Sequence, residues 1–97
     1  MRFHKLLPIA EQELAEAIDF YDKESRELGD RFIADFDTVI ERLCHYPESA
    51  PRVSKWLRIA RLSGFPYNII YRINPDHILV TAVAHQSRRP RYWRGRI

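Results

Sequence analysis

Cysteine is almost missing from this chain: Cys44 stands alone, which excludes an internal disulfide framework and fits a reducing cytoplasm. The four histidines, His4, His45, His77 and His85, show no ligand spacing, so no structural metal and no cofactor are expected. No apolar run is long enough to span a bilayer, and the short N-terminal one is broken by Pro8 and Glu11, against a signal peptide or a membrane partner. There are no internal repeats, no low-complexity tract and no recognisable nucleic-acid-binding motif. The second half also lacks acid. Residues 51–97 hold ten Lys and Arg against one Asp, whereas residues 1–50 hold six against twelve Asp and Glu. The net charge of +3 therefore hides halves of −6 and +9, and the basic half should attract phosphate or an acidic protein segment.

With 45% hydrophobic and 12% aromatic residues over 97 positions, there is enough apolar material for one compact domain, residues 1–97. Arg2 to Leu7 reads as a short strand, and Pro8 suits the first turn of a helix. The three- and four-residue recurrence of Ala10, Leu14, Ala17, Ile18, Tyr21 and Leu28 predicts a first helix over Ile9 to Leu28. Gly29 is placed as its left-handed C-cap and Asp30 as the next N-cap. Phe32, Phe36, Val39, Ile40 and Leu43 predict a second helix from Arg31 to His45, ended by Pro47. Strands follow over Trp56 to Leu62, Tyr67 to Ile73 and Ile78 to His85, joined by Ser63-Gly64 and Asn74-Pro75-Asp76. The last strand is apolar on both faces, as a central strand should be. The sum is an α+β domain of order β-α-α-β-β-β, with a helical hairpin packed on an antiparallel sheet.

His85 ends the last strand, and after it come five arginines interleaved with Tyr92 and Trp93. Arg88, Arg89, Arg91, Trp93, Arg94 and Arg96 have the composition of an interface anchor. The two rings can equally fold back onto the sheet, and the arginines can pair with acids of the first helix, though surface pairs of that kind stabilise little. Removing Arg94 to Ile97 is expected to weaken partner binding and spare the fold.

These residues also carry a resemblance. Glu13-Leu14-Ala15-Glu16-Ala17 followed by Tyr21, Leu28-Gly29 before Phe32, Pro47 and Pro51, Arg61-Leu62 with Phe65-Pro66-Tyr67 and Ile70-Tyr71, and Ala82-Val83-Ala84-His85 followed by Arg88, Pro90, Tyr92-Trp93 and Arg96 resemble the ParE/RelE toxins of type II toxin–antitoxin systems, in their ParE-type branch. The resemblance covers nearly the whole chain. It implies a small cytoplasmic bacterial toxin neutralised by a cognate antitoxin. ParE-like members inhibit DNA gyrase without being nucleases, whereas RelE-like members cleave mRNA on the ribosome; the fold is shared and the chemistry is not.

Metal-free RNA cleavage needs a base for the 2′-hydroxyl, an acid for the leaving oxygen and cations for the phosphate. The resemblance offers Arg61, His85, Arg88 and Tyr92. It departs from the nuclease pattern at Asn68, where that branch carries a catalytic arginine, and at Ile59, where another basic residue is typical. The bland alternative for His85 is a strand-end histidine bonded to backbone. A gyrase inhibitor is therefore expected, with ribosome-dependent mRNA cleavage as the alternative and a plain nucleic-acid-binding module as the weaker one.

Overall fold

A computed structural model describes residues 2–96. Strand β1 (Phe3–Leu6) is followed by helices α1 (Pro8–Glu24) and α2 (Arg26–His45), then by β2 (Arg58–Arg61), β3 (Tyr67–Ile73) and β4 (His77–His85). The order is β-α-α-β-β-β, as expected. The sheet runs β1-β4-β3-β2. Its last three strands form the expected antiparallel meander, with Arg61 opposite Asn68 and Tyr67 opposite His85. The sheet is nevertheless mixed, because β1 adds to β4 in parallel, Phe3 beside His77 through Leu6 beside Val80.

The hairpin joint lies earlier than Gly29. α1 ends at Glu24, and Ser25 is the corner; its Oγ accepts from the Leu28 N–H at 3.1 Å, a side-chain N-cap. Gly29 and Asp30 sit inside α2. The glycine serves proximity rather than a left-handed turn: a Cβ there would lie 2.0 Å from Asp22 Oδ1 and 3.2 Å from Asp22 Cα. A carboxylate can swing aside and a backbone cannot, so the helices approach closely only because residue 29 has no side chain. Gly29→Val is expected to lower stability by about 2 kcal/mol, measured by urea unfolding; an unchanged midpoint would remove this contact from the account.

One sheet face is covered by the hairpin. Phe32, Phe36, Val39, Ile40 and Leu43 of α2 are all buried there with Ile69, Tyr71, Ile78, Val80 and Val83 of the sheet. Cys44 packs in the same core, and burial pushes its thiol pKa up, so it is a small hydrophobe rather than a nucleophile. The other face is covered by chain that is not regular structure. Leu57, Ile70, Ala82 and Ala84 are buried with Trp93, and Val53, Ile59 and Tyr92 pack around them. A register shift changes which residues of β4 face the hairpin, Ile78 and Val80 before it and Val83 after it: Ile70 pairs with Ala82 and Tyr71 with Val80, leaving Thr81 as the extra residue of a bulge.

Candidate functional site at the end of strand β4

Beyond His85 the chain turns in successive steps. The Arg88, Tyr92 and Arg94 N–H groups donate to the carbonyls of His85, Arg89 and Arg91. The two positive-φ positions, Arg91 at 60° and Gly95 at 83°, let the segment curl back over the sheet. Arg91 is held there by its own guanidinium, which donates to the Val53 carbonyl at 3.3 Å.

The curl delivers Tyr92 and Arg96 to a specific point. β1 stops at Leu6, but β4 continues to His85, so the β1-side edge of β4 runs on without a strand neighbour. Glu13 of α1 fills that gap. Its Oε1 accepts from the Val83 N–H at 3.0 Å and from Arg96 Nη1 at 2.8 Å; its Oε2 accepts from Arg96 Nη2 at 3.0 Å and from the Tyr92 hydroxyl at 2.6 Å. Arg96 Nη1 also donates to the Thr81 carbonyl at 3.0 Å. A bidentate ion pair thus stands in for the missing strand, satisfying one N–H and one C=O of the exposed edge.

The electrostatics follow from that geometry. Burial pushes the Glu13 pKa up, but donation from Arg96, Tyr92 and the Val83 N–H outweighs it and holds the carboxyl below its ordinary 4.5. For Tyr92, burial and the hydrogen bond to the Glu13 carboxylate push the phenol up to about 12. Tyr92 is therefore a fixed donor at neutral pH, and the general-base role that RNA cleavage would ask of it is closed while Glu13 holds it. Its ring carries cations: the Arg88 guanidinium lies 4.3 Å from the ring centroid and that of Arg96 5.2 Å.

Two residues of the expected interface anchor are engaged within the fold itself. Trp93 is 6% exposed and closes the second core beside Leu57, Val53 and Tyr92 over the apolar face of β3 and β4. Arg96 is spent on Glu13 and Thr81. Arg88, Arg89, Arg91 and Arg94 remain exposed on the turns. No carboxylate among the described residues forms an ion pair with any of these four.

His85 is half-buried at the strand end, edge-on to the Tyr67 ring. Its Nδ1 accepts from the Ser87 backbone N–H at 3.0 Å and lies 2.7 Å from the Ser87 hydroxyl. That is the backbone-bonded strand-end histidine, with Nδ1 engaged and Nε2 left over. His85, Arg88 and Tyr92 line one depression of about 230 Å³, together with Asn68 and Gln86. Arg61 opens onto the neighbouring groove of about 610 Å³, which shares Ile59, Asn68 and Gln86 with it. The Asn68 side chain accepts from Gln86 at 3.3 Å, so the position where nucleases carry an arginine is neutral and occupied. Among the described residues no group of three or more metal-ligating side chains converges, and no helix is long and apolar enough to cross a membrane.

Glu13 is the residue that sequence reasoning missed. It looks like any other acid of α1, and its partners lie 79 and 83 positions away. The family model for the ParE toxin of type II toxin–antitoxin systems matches residues 5–90. The chain belongs to the ParE toxin family. Its fold is also that of a solved ParE-type system: a chain from the chromosomal ParDE toxin–antitoxin system of P. aeruginosa superposes with a TM-score of 0.73 at 19% identity, covering 88% of this chain and 96% of that one. No curated protein sequence matches it. The family match stops at residue 90, so Tyr92, Trp93 and Arg96 of this ParE-family chain lie beyond it.

Proposed function

We propose that this ParE-family chain inhibits DNA gyrase by binding it, without cleaving nucleic acid, and that a cognate antitoxin neutralises it. The observation that supports this reading is how the tail divides its groups. Tyr92 is engaged with Glu13 and His85, through Nδ1, with Ser87, whereas four exposed arginines have no acid partner among the described residues. A protein-binding surface needs only the latter. The fold's similarity to a chain of a ParDE toxin–antitoxin system supports an antitoxin here too, and an acidic segment of such a partner would suit the same arginines. Purified gyrase acting on relaxed plasmid with ATP should lose supercoiling in proportion to added chain; full supercoiling with a folded sample would overturn the reading. The product of the adjacent gene should co-purify with the chain, and its failure to do so would remove the antitoxin.

Ribosome-dependent mRNA cleavage draws support from one observation: His85, Arg88 and Tyr92 do share a depression. The two mechanisms separate at His85. On the gyrase mechanism His85→Ala should change growth arrest by no more than about twofold, whereas removing a catalytic acid or base costs about 100-fold or more. A large loss in a folded variant would transfer the function to the ribosome.

A further inference from the structure

Away from the arginine-rich turns, a second basic surface surrounds the far end of β3. Arg72 and Ile73 lie four and five residues beyond Asn68 on that strand, which places Arg72 roughly 13 Å from it at the rise of a β-strand. Here Trp56 is 57% exposed and Tyr46 69% exposed. A groove of about 640 Å³ is lined by Arg2, Tyr46, Glu48 and Ile73, and a smaller one of about 200 Å³ by Arg52, Lys55, Trp56, Glu48 and Ile73. They share Glu48 and Ile73, so they form one continuous track with an exposed ring at each end.

The cations along this track are uncommitted. The Arg72 guanidinium lies 5.0 Å from the Trp56 ring centroid and Lys55 Nζ 5.2 Å. Neither they, nor Arg52, nor Arg2 pair with a carboxylate among the described residues. The Nε atoms of Arg2 and Arg72 are buried and have no hydrogen-bond partner among the described residues. Glu48 is the one acid lining the track. Cations held against an aromatic face, with no carboxylate to neutralise them, keep their charge available to an anion.

We infer that this track binds single-stranded nucleic acid, with Trp56 and Tyr46 as stacking platforms and Arg72, Lys55, Arg52 and Arg2 on the phosphates. Two exposed rings separated by a basic groove match a polymer that alternates flat bases with phosphates. An acidic peptide would use the cations and leave the rings without a purpose. The surface is distinct from the arginine turns and does not depend on the gyrase mechanism.

The two tryptophans make the test direct, because Trp56 is exposed and Trp93 is 6% exposed. An oligothymidylate and an oligouridylate of about 12 nucleotides, within the range of single-strand sites, are titrated into the full chain. Intrinsic fluorescence and the anisotropy of a labelled strand are both followed. Quenching is expected, with log K falling against log salt with a slope of about −2 to −3, as three to four phosphate contacts require. Trp56→Phe should abolish the quench, and Trp56→Ala should weaken binding about tenfold. Lys55→Glu with Arg72→Glu should weaken it at least about tenfold, and removing the charges of Arg88, Arg89 and Arg91 should leave the quench in place. Lys55, Trp56, Arg88, Arg89 and Arg91 are exposed and Arg72 is half-buried, and far-UV circular dichroism checks that each variant is folded. Tighter binding of one oligonucleotide would say whether RNA or DNA is the ligand. Anisotropy unchanged by Trp56→Ala and by the charge reversals, no binding at low salt, or equal displacement by poly-glutamate would each overturn the proposal.

Discussion

Glu13→Ala is expected to be the most destabilising single substitution on the surface of this ParE-family chain. Glu13 and Arg96 are 11% and 17% exposed as side chains. Removing the acid leaves the guanidinium unpaired against the Thr81 carbonyl, the Tyr92 hydroxyl without its acceptor, and the Val83 N–H on an open strand edge. Breaking a buried pair from one side costs about 3 kcal/mol or more, equivalent to a fall in Tm of roughly 15 °C for a domain of this size. Glu13→Gln keeps an acceptor and should lose less.

The same group predicts an acid limb. The folded-state pKa of Glu13 lies below its ordinary 4.5, so its contribution is complete above that value and is lost as pH falls through the folded pKa. Wild-type and Glu13→Gln midpoints should therefore differ most at neutral pH and converge in acid. Parallel curves would mean that the carboxylate is not what holds the tail.

Removing the charges of Arg88, Arg89 and Arg91 together should have the largest effect on function, at little cost in stability. All three are exposed, and only Arg91 makes a hydrogen bond from its guanidinium, to one carbonyl. Clustered arginines at an interface centre are worth at least about 2 kcal/mol each when they are hot spots, so on the proposed gyrase mechanism inhibition should fall by roughly 100-fold or more. Unchanged inhibition by a triple alanine variant would place the recognition surface elsewhere. Arg96→Ala should behave in the opposite way, losing stability before specificity. For the same reason, deleting Arg94 to Ile97 would not spare the fold, because it takes away the partner of Glu13.

A gain in legibility came wherever the physics is local. Phe32, Phe36, Val39, Ile40 and Leu43 of α2 are all buried, because a helix repeats its inward face every three to four residues and the chain must show that period. The double-sided apolarity of β4 identified it as central, and it does lie between β1 and β3. Turn residues gave the meander. Gly29 misled because a glycine gives the same local signal whether it relieves a left-handed turn or admits a neighbouring helix, and only the position of Asp22 distinguishes them.

The order of elements, the helical faces and the delivery of a basic, aromatic segment after β4 were thus determined by the sequence alone, because each depends on neighbours within a turn or a strand. The division of labour inside that segment was decided only by the tertiary structure. Arg94 and Arg96 are two residues apart and chemically identical, yet one faces solvent and the other closes a sheet edge through an acid 83 positions away. Trp56 and Trp93 differ in the same way: only the packing of remote strands decides which indole is covered. Contacts across such distances leave no periodic mark in the chain. Their energy comes from desolvation and geometry that exist only once the fold is complete.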